Sequence, residues 1–315
     1  MSATTGAERP TGLGVPIETP SAEGDERARA AQRKAAVLSE ALPWITRFHG
    51  QTIVVKYGGN AMVDGELERS FAADLALLRF VGLRPVLVHG GGPQISALAA
   101  SRGITSTFVG GLRVTDAAMM EVVREALVDE VNPAVVGLVA EAGAPAIGVS
   151  GSEGIITARA AVGPAGEDLG FAGEVAAVDP TVLHAALDAG QVPVVAPLGR
   201  DAEGALRNVN ADLAAGAIAA ALGASKLVLL TDVPGLYEDF GDPDSRTLVT
   251  ETTVAELAAL IAAGSLHAGM RPKVRAVIDA MQRGVGQAHI LDGRVQHALL
   301  IEVFTDEGIG TMVRS

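Results

Sequence analysis

The sequence predicts an α/β fold, a mainly parallel open sheet with helices packed over it and a kinked helix ahead of the first strand. Two observations carry that expectation. Six short runs of continuous apolar residues, at 52–57, 85–89, 146–150, 193–197, 226–231 and 288–291, mostly lack the polar alternation of a half-exposed sheet and suit strands covered on both faces. Between them lie helical stretches at 66–81, 93–101, 116–141, 180–189, 211–222, 254–263 and 270–283. Strand–helix alternation of this kind argues for a parallel sheet. The helices are rich in Ala and Gly, which permits close packing on the sheet.

In chain order, residues 1–24 are rich in Gly, Pro, Ser, Thr and Glu and read as a disordered arm. From Asp25 the composition turns to Ala, Arg, Lys, Gln and Leu, and 25–48 reads as a helix. Val37, Leu38, Ala41, Leu42 and Ile45 form one apolar stripe, and Pro43 kinks the helix. The stripe, with Trp44, packs either on its own domain or on a second copy. After the strands and helices of the first half, glycine-jointed β-like pieces at 154–178 read as a hairpin insertion.

Composition narrows the function. The chain has 315 residues, 49% apolar and 19% charged, enough for one large or two ordinary domains. A net charge of −13 disfavours nucleic acid and anionic membranes as partners. There is no cysteine, which excludes disulfides, thiol chemistry and Cys-based zinc sites, and the six histidines show no ligand spacing. No apolar run reaches membrane-spanning length and no secretory signal is read, so a cytoplasmic location is expected.

In open α/β sheets, ligands sit at the carboxyl ends of the strands, and six stretches fall there or at helix starts. "KYGGN" (Lys56–Asn60) ends the first strand with a lysine beside paired glycines, either a solvated charge or an anion-binding lysine. "VHGGGPQI" (Val88–Ile95) puts a glycine triplet before a helix, either a tight turn or a backbone cradle for an anion. In "GLRVTD", Thr115 or Asp116 caps the next helix, and Arg113 is a loop arginine or a carboxylate partner. "NVNAD" gathers Asn208, Asn210 and Asp212 at one helix entry, more polar groups than a cap needs. "LLTDVPGLY" runs off a strand into a Pro-Gly turn, and "GMRPKV" sets Lys273 in a helix's first turn, against the dipole. No P-loop or G-x-G-x-x-G fingerprint occurs.

Together and in this order, the six stretches resemble the amino acid kinase family, over about residues 26–315, in the branch that phosphorylates N-acetyl-L-glutamate. The resemblance implies a three-layer αβα sandwich. It divides the chain into an oligomerisation helix (25–48), an acyl-substrate lobe (49–200) and a nucleotide lobe (201–315). It implies transfer of a phosphoryl group from ATP to the substrate γ-carboxylate, with Mg2+ carried by ATP and no metal ligand from the protein. Lys56, Lys273 and Asp212 are then catalytic; Gly91, Gly92, Arg113 and Asn208 hold the acyl substrate. Gly58, Gly59, Thr231, Asp232, Gly235, Leu236, Tyr237, Ser265 and His267 serve the nucleotide. The N-terminal helix and residues 297–313 resemble the arginine-inhibited, hexameric subclass, a trimer of dimers. Glu302, with backbone near Gly308 and Gly310, is the candidate effector site there. Alternatives are a kinase for another small acid and a non-catalytic arginine-sensing domain. Some relatives dock a PII-type protein, of which this sequence carries no sign.

Overall fold

The computed structural model describes residues 22–62, 64–238, 247–266, 269–305 and 308–315. Helix α1 (Ala22–Phe48) leads to β1 (Thr52–Tyr57), a 3-10 turn (Gly59–Met62), α2 (Gly65–Phe80), β2 (Arg84–His89) and α3 (Gly92–Ser101). The short pair β3 (Phe108–Val109) and β4 (Leu112–Arg113) precedes α4 (Ala117–Arg124), a π-helical segment (Glu125–Val131) and α5 (Asn132–Glu141). Then come β5 (Ala146–Ser150), β6 (Ile156–Val162), β7 (Asp168–Val178), α6 (Thr181–Asp188), β8 (Val192–Ala196), β9 (Leu198–Arg200) and β10 (Leu206–Val209). The last part holds α7 (Ala211–Ala221), β11 (Lys226–Thr231), β12 (Leu236–Tyr237), β13 (Leu248–Val249), β14 (Glu251–Thr253) and α8 (Val254–Ala262). It ends with α9 (Arg271–Gln282), β15 (Gln287–Asp292), α10 (Ala298–Phe304) and β16 (Thr311–Arg314).

Compact units comprise residues 1–43 and 44–315. In the first, α1 already runs from Ala22, three residues before the composition change, and the rest of the expected arm lies outside the described residues. The helix continues through Pro43 without a break, and Val37, Leu38 and Leu42 are exposed along it.

The second unit is built on an eight-stranded sheet, order β14-β16-β15-β11-β1-β2-β8-β5, antiparallel only where β16 meets β15. Alternate residues of each strand face opposite sides, and the two sides carry separate cores. Val54, Val86, Val88, Leu227, Leu229 and Ile290 pack with residues of α6, α7, α8 and α9. Ile53, Val55, Tyr57, Leu87, Val228, Leu230 and Leu291 pack with residues of α2, α5 and α10. The result is a three-layer α/β sandwich, as the fold class requires. The expected insertion is the antiparallel pair β6–β7, and with β9 and β10 it closes into a four-stranded barrel.

Strand order reverses across β1, with β2 on one side and the later β11 on the other. A crevice opens at such a switch point, outside the carboxyl ends of the strands. Strand parity then aims the last residues: Lys56 shares the side of Val54 and points toward α7, whereas His89 shares the side of Leu87 and points toward α5.

Candidate active site

Asn210 caps α7 by accepting from the backbone N–H of Asp212 and Leu213, at 2.9 and 3.2 Å. The cap leaves Asp212 in the first helical turn, where a carboxylate suits the helix dipole. Gly216, one turn on, lets α9 come close: a Cβ there would stand 2.7 Å from the Ala276 carbonyl oxygen. That close approach of helices brings Lys273 to Asp212. Lys273 Nζ lies 2.8 Å from Asp212 Oδ2, and Lys56 Nζ lies 3.1 Å from Oδ1. One carboxylate therefore clamps two ammonium groups from elements 217 positions apart in the chain (273 − 56). Their side chains are 9% (Lys56), 18% (Lys273) and 7% (Asp212) exposed, so the charges interact largely out of water. Burial alone would push the Asp212 carboxyl up, but the two lysines overcome it and hold it at about 2. Burial pushes the Lys56 amine down, against the pull of Asp212, and Lys273 adds to the push.

A cavity of about 270 Å3 lies beside the clamp. Lys56, Gly59, Gly90, Gly91, Gly92, Arg113, Asn208 and Asp212 line it, so the acyl-substrate candidates meet Lys56 and Asp212 there, while Lys273 is outside the lining and joins them through Asp212. Helix α3 starts at this wall with Gly91 as an N-cap that has no side-chain bond, which leaves its first N–H groups to a ligand. Gly91 also has no room for a side chain, since a Cβ would overlap Leu127 Cδ2. The Arg113 guanidinium donates to Ser106 Oγ, to Ser96 Oγ at 3.0 Å and to the Gly92 carbonyl at 3.2 Å, and lies over the Phe108 ring. No ion pair to Arg113 occurs among the described residues. A buried cation held by neutral groups is ready for an anionic ligand. Asn208 Nδ2 donates to Thr115 Oγ1 at 3.1 Å, and that hydroxyl donates to the Arg113 carbonyl at 2.9 Å, tying β10 to β4. Asp116 caps α4 through Met119 N.

The nucleotide candidates are placed less uniformly. Gly58 leaves room for Lys56, whose Nζ would stand 2.9 Å from a Cβ there. Asp232, just beyond Thr231 at the end of β11, lies against Gly59. Gly235 and Leu236 sit beside Thr311, with the Leu236 N–H donating to Thr311 Oγ1 at 2.8 Å, and Tyr237 pairs with Leu248. Ser265 is exposed just past α8, and neither it nor residues 231–237 line the 270 Å3 cavity. His267 lies outside the described residues.

Residues 51–292 match the amino acid kinase family. The chain belongs to that family. Two acetylglutamate kinases among its amino acid kinase relatives come from Saccharopolyspora erythraea (50% identical, covering 91% of this chain and 95% of that protein) and Acidothermus cellulolyticus (52%, 90% and 97%). Among solved structures, an N-acetylglutamate synthase from Neisseria gonorrhoeae, complexed with coenzyme A and N-acetyl-glutamate, is 30% identical with a TM-score of 0.78. That alignment covers 89% of this chain and 63% of the longer synthase chain.

A second cavity, of about 440 Å3, opens at the other end of this kinase sheet. Glu302, Gly308 and Gly310 line it, as do Trp44, Arg47, Lys226 and His289. Glu302 Oε1 lies 2.5 Å from His289 Nδ1, whose Nε2 is 3.2 Å from Lys226 Nζ. Burial lowers the Lys226 amine to about 8. Burial would raise the Glu302 carboxyl, but His289 and Lys226 bring it below its usual value. Sequence reading missed Lys226 and His289, which start β11 and sit inside β15 without the paired glycines that mark Lys56.

Proposed function

We propose that the chain is an acetylglutamate kinase, transferring the γ-phosphoryl group of ATP to the side-chain carboxylate of N-acetyl-L-glutamate in arginine biosynthesis, in the cytoplasm. The observation that carries this reading is the pair of ammonium groups on Asp212 beside an uncapped helix N-terminus. Acetylglutamate kinases about 50% identical over some 90% of the chain support the choice of substrate.

The chemistry suits these groups. A γ-carboxylate, with an ordinary pKa of about 4.3, is ionised at neutral pH and needs no general base. The obstacle is repulsion between that anion and the ATP phosphates, roughly 4 kcal/mol per unit pair at 4 Å and an effective dielectric of 20. Lys56 offsets it from the acyl-substrate side and Lys273 from the nucleotide side, with Asp212 fixing both amines. The backbone of Gly91 and Gly92 donates to the transferring oxygens or the substrate, Arg113 takes the α-carboxylate, and Asn208 orients the acyl substrate. Mg2+ would come with ATP and would supply further neutralisation of phosphate charge, with no ligand from the protein. Residues 49–200 form the acyl-substrate lobe and 201–315 the nucleotide lobe; Gly58 and Gly59 from the first and Thr231, Asp232, Gly235, Leu236, Tyr237, Ser265 and His267 from the second contact the nucleotide.

In the same reading, arginine inhibits the enzyme from the second cavity, its guanidinium on Glu302 and its carboxylate near the backbone of Gly308 and Gly310. The exposed stripe of Val37, Leu38 and Leu42 joins dimers into a hexamer. A coupled ADP-release assay tests the proposal with acetylglutamate against aspartate, glutamate, carbamate and UMP, with and without arginine. Turnover confined to acetylglutamate is expected, falling as arginine is added. Preference for another acid, or no turnover, overturns it; light scattering reads the assembly.

A further inference from the structure

At the carboxyl end of β2, a second buried polar pair supports the glycine triplet from behind. His89 is fully buried and Asn132, at the start of α5, is 7% exposed. Asn132 Nδ2 lies 2.9 Å from the Val194 carbonyl and 3.1 Å from His89 Nε2. A carbonyl only accepts, so the atom beside it is the amide nitrogen, and its second proton goes to Nε2. The ring proton then sits on Nδ1, 2.7 Å from the Gly90 carbonyl oxygen, to which it is donated. Burial pulls the ring down to about 4, keeping it neutral with this one tautomer. Gly90 is held at its other end as well, its N–H donating to the Tyr57 carbonyl at 2.6 Å.

The consequence follows from peptide planarity. No cis peptide occurs among the described residues, and in a trans peptide the C=O and the next N–H point in opposite directions. With the Gly90 carbonyl drawn to His89, the Gly91 N–H points away from the imidazole. The peptide has glycine on both sides, so nothing intrinsic prevents it from turning over. Turned over, it would present a carbonyl oxygen to an anion.

The π-helical segment supplies the buttress. Residues five apart in an α-helix stand about 140° apart around the axis. Here the Asn132 N–H donates to the Leu127 carbonyl, an i→i+5 bond that brings the two residues toward one face. Leu127 lies against Gly91 while Asn132 holds His89.

We propose that His89, braced by Asn132, is a positioning residue that locks the Gly90–Gly91 peptide with its N–H toward the transferring phosphoryl group. This rests on the kinase reading above. On the full chain, His89→Phe keeps a ring but donates nothing, His89→Asn places an amide N–H where Nδ1–H stands, and His89→Gln places it nearer Nε2. His89→Phe and His89→Gln are expected to lose about 10–100-fold in kcat per folded enzyme, with both KM values within about threefold. His89→Asn recovers most of the loss, and Asn132→Leu falls between. The same ranking is expected in how much aluminium fluoride tightens MgADP binding, a readout that needs no turnover. A wild type inactive on acetylglutamate strikes the substrate reading and leaves that binding series to decide this one. Wild-type behaviour of His89→Phe and Asn132→Leu, or His89→Asn no better than His89→Gln, overturns the proposal.

Discussion

Replacing Asp212 by asparagine keeps the shape of the clamp and removes its charge. Lys56 and Lys273 approach the two oxygens to 3.1 and 2.8 Å, so the amines of the variant would face each other at roughly 5 Å, repelling by about 3 kcal/mol at an effective dielectric of 20. Breaking a buried pair by removing one partner typically costs about 3–5 kcal/mol, and Lys273, at 18% exposure, relieves part of this by swinging toward water. The pH dependence of the native protein gives a second measure. A carboxyl held at about 2 in the fold against an ordinary 3.8 contributes about 2 kcal/mol. Because the folded value is the lower one, that contribution is present above about pH 4 and is lost as pH falls through about 2. Urea unfolding of Asp212→Asn at pH 7 should therefore show a loss of about 2–5 kcal/mol, shrinking as pH falls toward 2. In the ADP-release assay its kcat should drop about a hundredfold to a thousandfold, because the lysines are no longer aimed. Native stability together with kcat within about threefold of wild type would refute the clamp.

Lys56→Ala should lower kcat by about a thousandfold while MgATP binding, by equilibrium dialysis, largely survives; near-normal turnover refutes its role. Arg113→Ala should raise the KM for acetylglutamate about tenfold to a hundredfold, the worth of a charge-assisted hydrogen bond. If only the ATP KM moved, the two substrates would have to exchange places. Glu302→Ala should raise the arginine concentration for half-inhibition by about tenfold or more, read from an arginine titration of the same assay; an unchanged midpoint removes Glu302 from the effector site.

The central strands were legible because nothing about them is ambiguous. Residues 52–57, 146–150 and 226–231 are apolar runs bounded by turn residues, and those are the observed limits of β1, β5 and β11. The π segment was not legible. Residues 116–141 read as one helix, and the extra residue in a wide turn leaves the hydrophobic period almost untouched while rotating everything after it. Two- to four-residue strands such as β3, β9 and β10 are too short to show a period, so the closed barrel went unseen. At the site, glycines and charges at strand ends named the groups that line the cavity, since backbone access and a cation are visible in sequence. The motif 231–237 records a strand exit but no distance, and its residues, with Ser265, lie outside the lining of the 270 Å3 cavity. His89 carries no signal in the sequence because its partner Asn132 is 43 positions away and meets it only through the packing of α5 on the sheet.

Trp44 is the chain's one tryptophan. It stacks on Phe48 with ring centroids 6.2 Å apart, has the Arg47 guanidinium 5.7 Å from its own ring, and lines the 440 Å3 cavity. Indole emission from this protein therefore comes from a single address. Any occupant that displaces the guanidinium or dries the indole's surroundings alters colour or intensity there, so occupancy of that cavity can be titrated in unlabelled protein with no second tryptophan to subtract.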